Sequence, residues 1–185
     1  HRYSSAASDV YKRQEIRIRD LAWLDRSAYA ALWQYLARHD LVGRVVWSTA
    51  PMDDPAPDLF IEPRLLHAQD LEGTWWRLVD VPAALAQRGY DTEGVLVLGI
   101  AEDDLAPWNV GNWRIEYSRE GAAVQTTRAP ADVNLSVRAL SSLYSGYSVA
   151  RHLANAQLIT AGDAALAQFD RMMRTRFAPH CPDHY

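Results

Sequence analysis

The end of the chain crowds reactive side chains together: His180, Cys181, Asp183 and His184, then Tyr185, whose own α-carboxylate is one more ionisable group. Each of the first four residue types can bind zinc. Tetrahedral sites usually draw their ligands from two separated pairs, however, and no second pair is evident, so we expect no metal here and Cys181 to pack. A terminal carboxylate has an ordinary pKa of about 3.5 and is ionised at neutral pH. It can hold an ammonium by charge attraction or accept a proton; the bland alternative is a frayed, solvated end.

Other groupings carry less chemistry. Arg38-His39-Asp40 has the composition of a kinase catalytic triplet, but without a Gly-rich loop or a DFG it reads as a helix end. Asp53, Asp54 and Asp58 could hold a divalent cation, yet they lie among Pro51, Pro55, Pro57 and Pro63, where acidic turn residues are ordinary. Ser141, Ser142, Ser145 and Ser148 stand in no nucleophile-elbow context. Trp75, Trp76, Trp108 and Trp113 could stack on a sugar or drug ring, although aromatic packing is the default.

The elements that must position these groups follow from periodicity. Ile16 and Ile18 alternate with Arg17 and Arg19, the pattern of a half-buried strand. Asp25 can cap a helix through about Arg38, with Tyr29, Leu32, Trp33 and Leu36 as its buried stripe. A strand over Arg44–Trp47 follows, and the proline-rich stretch after it is a connector. A second unit begins near Thr74. Strands are expected at Trp75–Val79, Val95–Ile100, Trp113–Tyr117, Ala122–Thr127 and Val133–Val137, largely as an antiparallel meander. A short helix opened by Asp80 and Pro82 should stop at Gly89 in the left-handed region. Helices are expected at Arg138–Tyr144, Val149–Asn155 and Ala164–Met173, broken at Gly146 and Gly162. Strands first and helices after them make an α+β fold.

Composition sets the outer bounds. The 185 residues are 49% hydrophobic and 23% charged, the profile of a globular protein with a sizeable core. A net charge of −4 argues against a nucleic-acid partner, which needs a basic surface to displace counterions. No apolar run is long enough to span a bilayer, and the N-terminus lacks a signal-like apolar block. A single cysteine excludes an intramolecular disulfide framework and fits a reducing compartment without proving one; a cytoplasmic location is expected, with export left open because the native N-terminus is absent. Lys12 is the sole lysine and lies in SSAASDVYKRQ, which looks like a translated adapter. Residues 1–14 are therefore set apart as non-native, and the remainder is expected to be the C-terminal piece of something longer.

Four stretches carry a resemblance: LVDVPAALAQRGY ending at Tyr90, NVGNWRIE from Asn109, LSSLYSGYS from Leu140, and a tail in which proline and cysteine precede a terminal aromatic. Together they resemble the C-terminal part of Eis-type N-acetyltransferases of the Gcn5-related (GNAT) class. The resemblance implies that residues 15–68 are the remnant of a second GNAT-like domain plus connector. It also implies that 69–185 form a sterol-carrier-protein-like domain, an antiparallel-type sheet of about five strands with helices on one face.

Such enzymes transfer acetyl from acetyl-CoA to amines, aminoglycosides and lysine side chains among them. The resemblance makes the α-carboxylate of Tyr185 the catalytic base and places His184 in the substrate pocket, where the family often has an acidic residue. Acetyl-CoA would bind to a first domain absent from this chain: Gln87-Arg88-Gly89-Tyr90 follows a helix instead of opening one, unlike a CoA-binding loop. The thiolate-protonating tyrosine would belong to that domain too, so this piece alone should be inactive. Symmetric homo-oligomers, hexamers among them, are further implied. The competing reading is a carrier module whose Val95–Ile100, Leu135, Leu140, Leu143 and Leu153 line an apolar tunnel.

Overall fold

The Ile16/Ile18 alternation forms strand β1 (Gln14–Ile18) in the computed structural model, which describes residues 14–183. Of the segment set apart as adapter-like, residues 1–13 lie outside the described residues and Gln14 is the first residue of β1. The described residues fall into two units, 14–73 with 180–183, and 74–179.

In the first unit, helix α1 (Arg26–Ala37) starts where Asp25 accepts a hydrogen bond from the Ala28 amide at 2.8 Å. The Ser27 hydroxyl and this amide hold the Asp25 carboxyl below its ordinary pKa, which suits an anion at a helix N-terminus. The helix connects β1 to a parallel neighbour, β2 (Val42–Trp47). The proline-rich connector contains a one-turn helix, α2 (Ala56–Leu59). Trp33 packs edge-on against Phe60, 5.2 Å between ring centres, and lies 6.3 Å from Tyr29 and 6.4 Å from Trp47. The Trp33 face thus finds its partners within the unit.

The second unit opens with helix α3 (Val81–Gln87), capped by Asp80, which accepts from the Ala83 amide at 2.9 Å. Its sheet has the order β5-β4-β3-β6-β7. The strands are β3 (Gly94–Ile100), β4 (Gly111–Ser118), β5 (Gly121–Thr127), β6 (Val133–Leu135) and β7 (Ile159–Ala161). Pairing is antiparallel except between β3 and β6, which run parallel. Register explains the face that carries the core. Leu96 opposes Ile115 and Leu98 opposes Trp113, all buried, while Arg114 and Glu116 on the same strand β4 stay exposed. Helices α4 (Val137–Ser145), α5 (Ala150–Asn155) and α6 (Asp163–Met172) supply the rest of the core through Leu140, Leu143, Leu153, Phe169 and Met172. Fully burying one such side chain contributes about 1.5–3 kcal/mol.

Two expectations are corrected. Trp75–Val79 has no regular secondary structure and joins no sheet, and β7 supplies the fifth strand. Side chains take the place of ladder partners: the Leu78 amide donates to Ser141 Oγ at 3.0 Å, and Val79 O accepts from Trp108 Nε1 and Asn109 Nδ2. Gly89 is not left-handed either; α3 ends at Arg88 with φ −73° and ψ 143°, in extended backbone. Gly146 does end α4 in the left-handed region, at φ +81°, with the Gly146 and Tyr147 amides closing on Leu143 O and Ser142 O.

Candidate functional site: the C-terminal tail and the cleft it lines

Tyr185 and His184 lie outside the described residues. What is described is the path towards them. The chain leaves α6 at Met173, continues through Thr175 and Phe177, and from His180 to Asp183 belongs to the first unit.

There, His180, Pro182 and Asp183 line a cleft of about 480 Å³ together with Arg19, Asp20, Trp23, Trp47, Thr49 and neighbouring residues. The walls come from the ends of β1 and β2 and the start of the segment leading to α1. Trp47 is oriented by its indole N–H, which donates to Thr49 Oγ1 at 3.1 Å; that hydroxyl in turn donates to Arg19 O at 3.3 Å. Two indoles, two carboxylates, an imidazole and a guanidinium make a half-open space suited to a polar ligand with an apolar body. None of Asp20, Trp23, Trp47 or Thr49 stands out in the sequence as a site residue. Trp47 ending a strand was the available signal.

Tyr29, whose ring centre lies 4.6 Å from that of Trp23, donates to Asp54 Oδ1 at 2.6 Å, and the same oxygen accepts from the Ala56 amide at 2.9 Å. Burial first, and then the Asp54 carboxylate, push the Tyr29 hydroxyl well above the ordinary tyrosine pKa. Asp54 is therefore a structural acceptor that starts α2.

The remaining candidates take structural places. Cys181 is a correction: expected to pack, it is exposed, its Sγ 3.9 Å from Asp183 O. Among the described residues no group of three His, Cys, Asp or Glu comes together as a metal site. His39 turns its ring onto Tyr35 at the end of α1. Ser141 is buried and donates to Val137 O at 2.7 Å. Trp113 is buried, Trp76 packs edge-on to Tyr144, and Trp75 is exposed. Leu96, Leu98, Ile100, Leu135, Leu140, Leu143 and Leu153 belong to one packed core cluster that also contains Phe169. Among the described residues no helix is long and apolar enough to cross a membrane.

Comparison with known proteins agrees with this two-part arrangement. Residues 81–182 match the family described as sterol carrier protein domain, and residues 2–79 match the acetyltransferase (GNAT) domain. An uncharacterised N-acetyltransferase of Streptomyces griseus is 35% identical over 170 residues, 90% of this chain and 40% of the relative. N-acetyltransferase Eis of Mycobacterium tuberculosis is 30% identical over 167 residues, 90% of this chain and 40% of its own length. The crystal structure of Eis1 from Mycobacterium abscessus superposes with a TM-score of 0.77 at 31% identity, covering 99% of this chain and 46% of that one. The chain thus spans less than half the length of each of these relatives. A GNAT-type unit joined to a sterol carrier protein domain, in that order and with that likeness, places the chain in the Eis-like family of GNAT proteins.

Proposed function

We propose that this chain is the C-terminal portion of an acetyl-CoA-dependent N-acetyltransferase acting on amines, aminoglycosides or lysine side chains among them. In this reading residues 15–68 are the remnant of a second GNAT-like domain and connector, and 69–185 the sterol-carrier-like domain. The observation that carries it is the succession of the two family matches on one chain.

The Tyr185 α-carboxylate is the base. An amine is an ammonium at neutral pH and must lose a proton before its lone pair attacks the thioester carbonyl. The carboxylate attracts the cation and takes that proton directly or through one water. As the C–N bond forms the nitrogen gives up its second proton, which restores the one that a group outside this chain passes to the departing thiolate when the C–S bond breaks. Burial raises a carboxylate's pKa and makes it a better base. His184, beside it, shapes the amine pocket. Acetyl-CoA is the co-substrate. In this reading it binds to a first domain that this chain does not include. We further propose a homo-oligomer.

The test is thiol release from acetyl-CoA by the full-length gene product with a panel of amines. Release that depends on both acetyl-CoA and an amine supports the reading. No release with any amine, from folded protein that binds acetyl-CoA, sinks it.

A further inference from the structure

We infer that strand β5 is a surface through which two copies of this chain meet: its free edge pairs antiparallel with the same edge of a second copy and joins their two five-stranded sheets. The inference rests on the homo-oligomer reading and deepens it by naming one contact of that assembly.

A sheet edge presents unpaired amide and carbonyl groups, and natural proteins blunt it with charge, proline, a bulge or shortness. At one edge of this sheet β7 follows the rule, being three residues long. At the other edge β5 does not. Its seven residues, Gly121–Thr127, include no charged residue and no proline. Their register with β4 is unbroken, and among the described residues they pair with β4 alone. Ala123, Gln125 and Thr126 are exposed.

The charges that flank the strand identify the occupant. Glu120 stands one residue before β5 and Arg128 one residue after it, at equal distances along the chain from Val124. When two β5 strands pair antiparallel about a two-fold axis at Val124, every residue of the strand finds a partner. Gly121 then opposes the partner's Thr127, Ala122 the partner's Thr126 and Ala123 the partner's Gln125. The next step brings Glu120 to the partner's Arg128, and symmetry repeats that pair at the other end. Opposite charges at facing positions favour this register. A slip of two residues in either direction loses both ion pairs.

Both side chains are available for it. Arg128 is exposed and has no hydrogen-bond or ion-pair partner among the described residues. Glu120 is exposed and accepts from Ser118 Oγ at 2.7 Å. The other flanking cation, Arg119, is engaged elsewhere, its Nε donating to Asp91 O at 3.2 Å. The faces agree as well. Ala122 and Val124 pack against the core, and facing residues of an antiparallel pair share a face, so the apolar side of one sheet continues into the other.

The experiment measures self-association of the full-length protein by sedimentation equilibrium, unaltered and with Glu120→Arg, Arg128→Glu or both. Either single substitution should weaken association about tenfold or more, because both symmetry-related pairs turn repulsive at once. The double substitution exchanges the charges and should recover most of the loss. A second measurement uses Ala123→Cys with Gln125→Cys in a Cys181→Ser background, where oxidation should link two copies. Either cysteine alone meets its own copy only diagonally and should link far more slowly. All these side chains are exposed, so the fold is not at stake. An unaltered protein that stays monomeric removes the homo-oligomer reading and this surface with it. An unaltered protein that associates, but ignores the charge exchange and leaves the paired cysteines unlinked, overturns the inference alone and gives the β5 edge to a different extended segment.

Discussion

Asn109 reaches Asp103 with its Nδ2 at 2.9 Å while its Oδ1 accepts the Val81 amide at 2.8 Å, so one fully buried amide joins the β3–β4 connection to the start of α3. The same Nδ2 donates to Val79 O, and Asn109 O accepts from the indole of Trp113. The NVGNW stretch that helps carry the family resemblance therefore has a structural role: it replaces the sheet partner that Trp75–Val79 lacks. Asn109→Ala would leave the buried Val81 amide without an acceptor. We predict a loss of roughly 1–3 kcal/mol in urea denaturation, and Asn109→Asp should not restore it, because Asp103 would then face a second carboxylate.

Asp103 also accepts from Arg77 Nη2 through both oxygens, at 2.7 and 2.6 Å. The Arg77 hydrogen bonds, followed by that of Asn109, hold its carboxyl below the ordinary range. A depressed pKa in the folded state stabilises the fold above the unfolded value, about 3.9, and that contribution is lost as pH falls through the folded one. Arg77→Met should shift the Asp103 titration upward, observable by carboxyl carbon NMR, and should narrow the stability difference between pH 6 and pH 3.

Tyr90 carries the opposite sign. Its hydroxyl donates to Leu85 O at 2.7 Å, and burial pushes its pKa up to about 12. Below pH 10 the contribution is complete; between about 10 and 12 the unfolded chain loses the proton and the folded one keeps it, so stability falls as pH rises. Two units correspond to about 2–3 kcal/mol. Tyr90→Phe should flatten this alkaline limb in denaturation curves taken from pH 9 to 12.

His184 stands where the resemblance implies an acidic residue. Restoring the charge with His184→Asp should lower KM for a polycationic aminoglycoside several-fold, less for a monoamine, with the gain shrinking as salt is added. An equal change for both amines at all salt concentrations would remove His184 from the pocket.

Much of this architecture was legible in the residues themselves, because local chemistry decided it. Asp25 and Asp80 cap the helices they were expected to cap, and Gly146 ends α4 in the left-handed region where a side chain is disfavoured. Elements decided by tertiary partners were not legible. Trp75–Val79 has strand composition, but its backbone pairs with Ser141, Trp108 and Asn109. Ile159–Ala161 is three residues long, too short for a period, and becomes a strand only because Leu135 and Val133 lie opposite. Ser141 reads as one of four clustered serines until its hydroxyl is seen accepting from Leu78 across 63 positions of chain. The cleft was hidden for the same reason, since Asp20, Trp23, Trp47 and Asp183 meet only through folding.

We propose that the chain's own terminus takes part in the chemistry. Its most direct test compares acetyl-CoA-dependent thiol release by the full-length protein ending at Tyr185 with that of the same protein carrying a few added glycines, using one amine acceptor. Lengthening should abolish release, with folding and acetyl-CoA binding intact, because the carboxylate is moved away and replaced by a neutral amide. Equal release by the two proteins would contradict it.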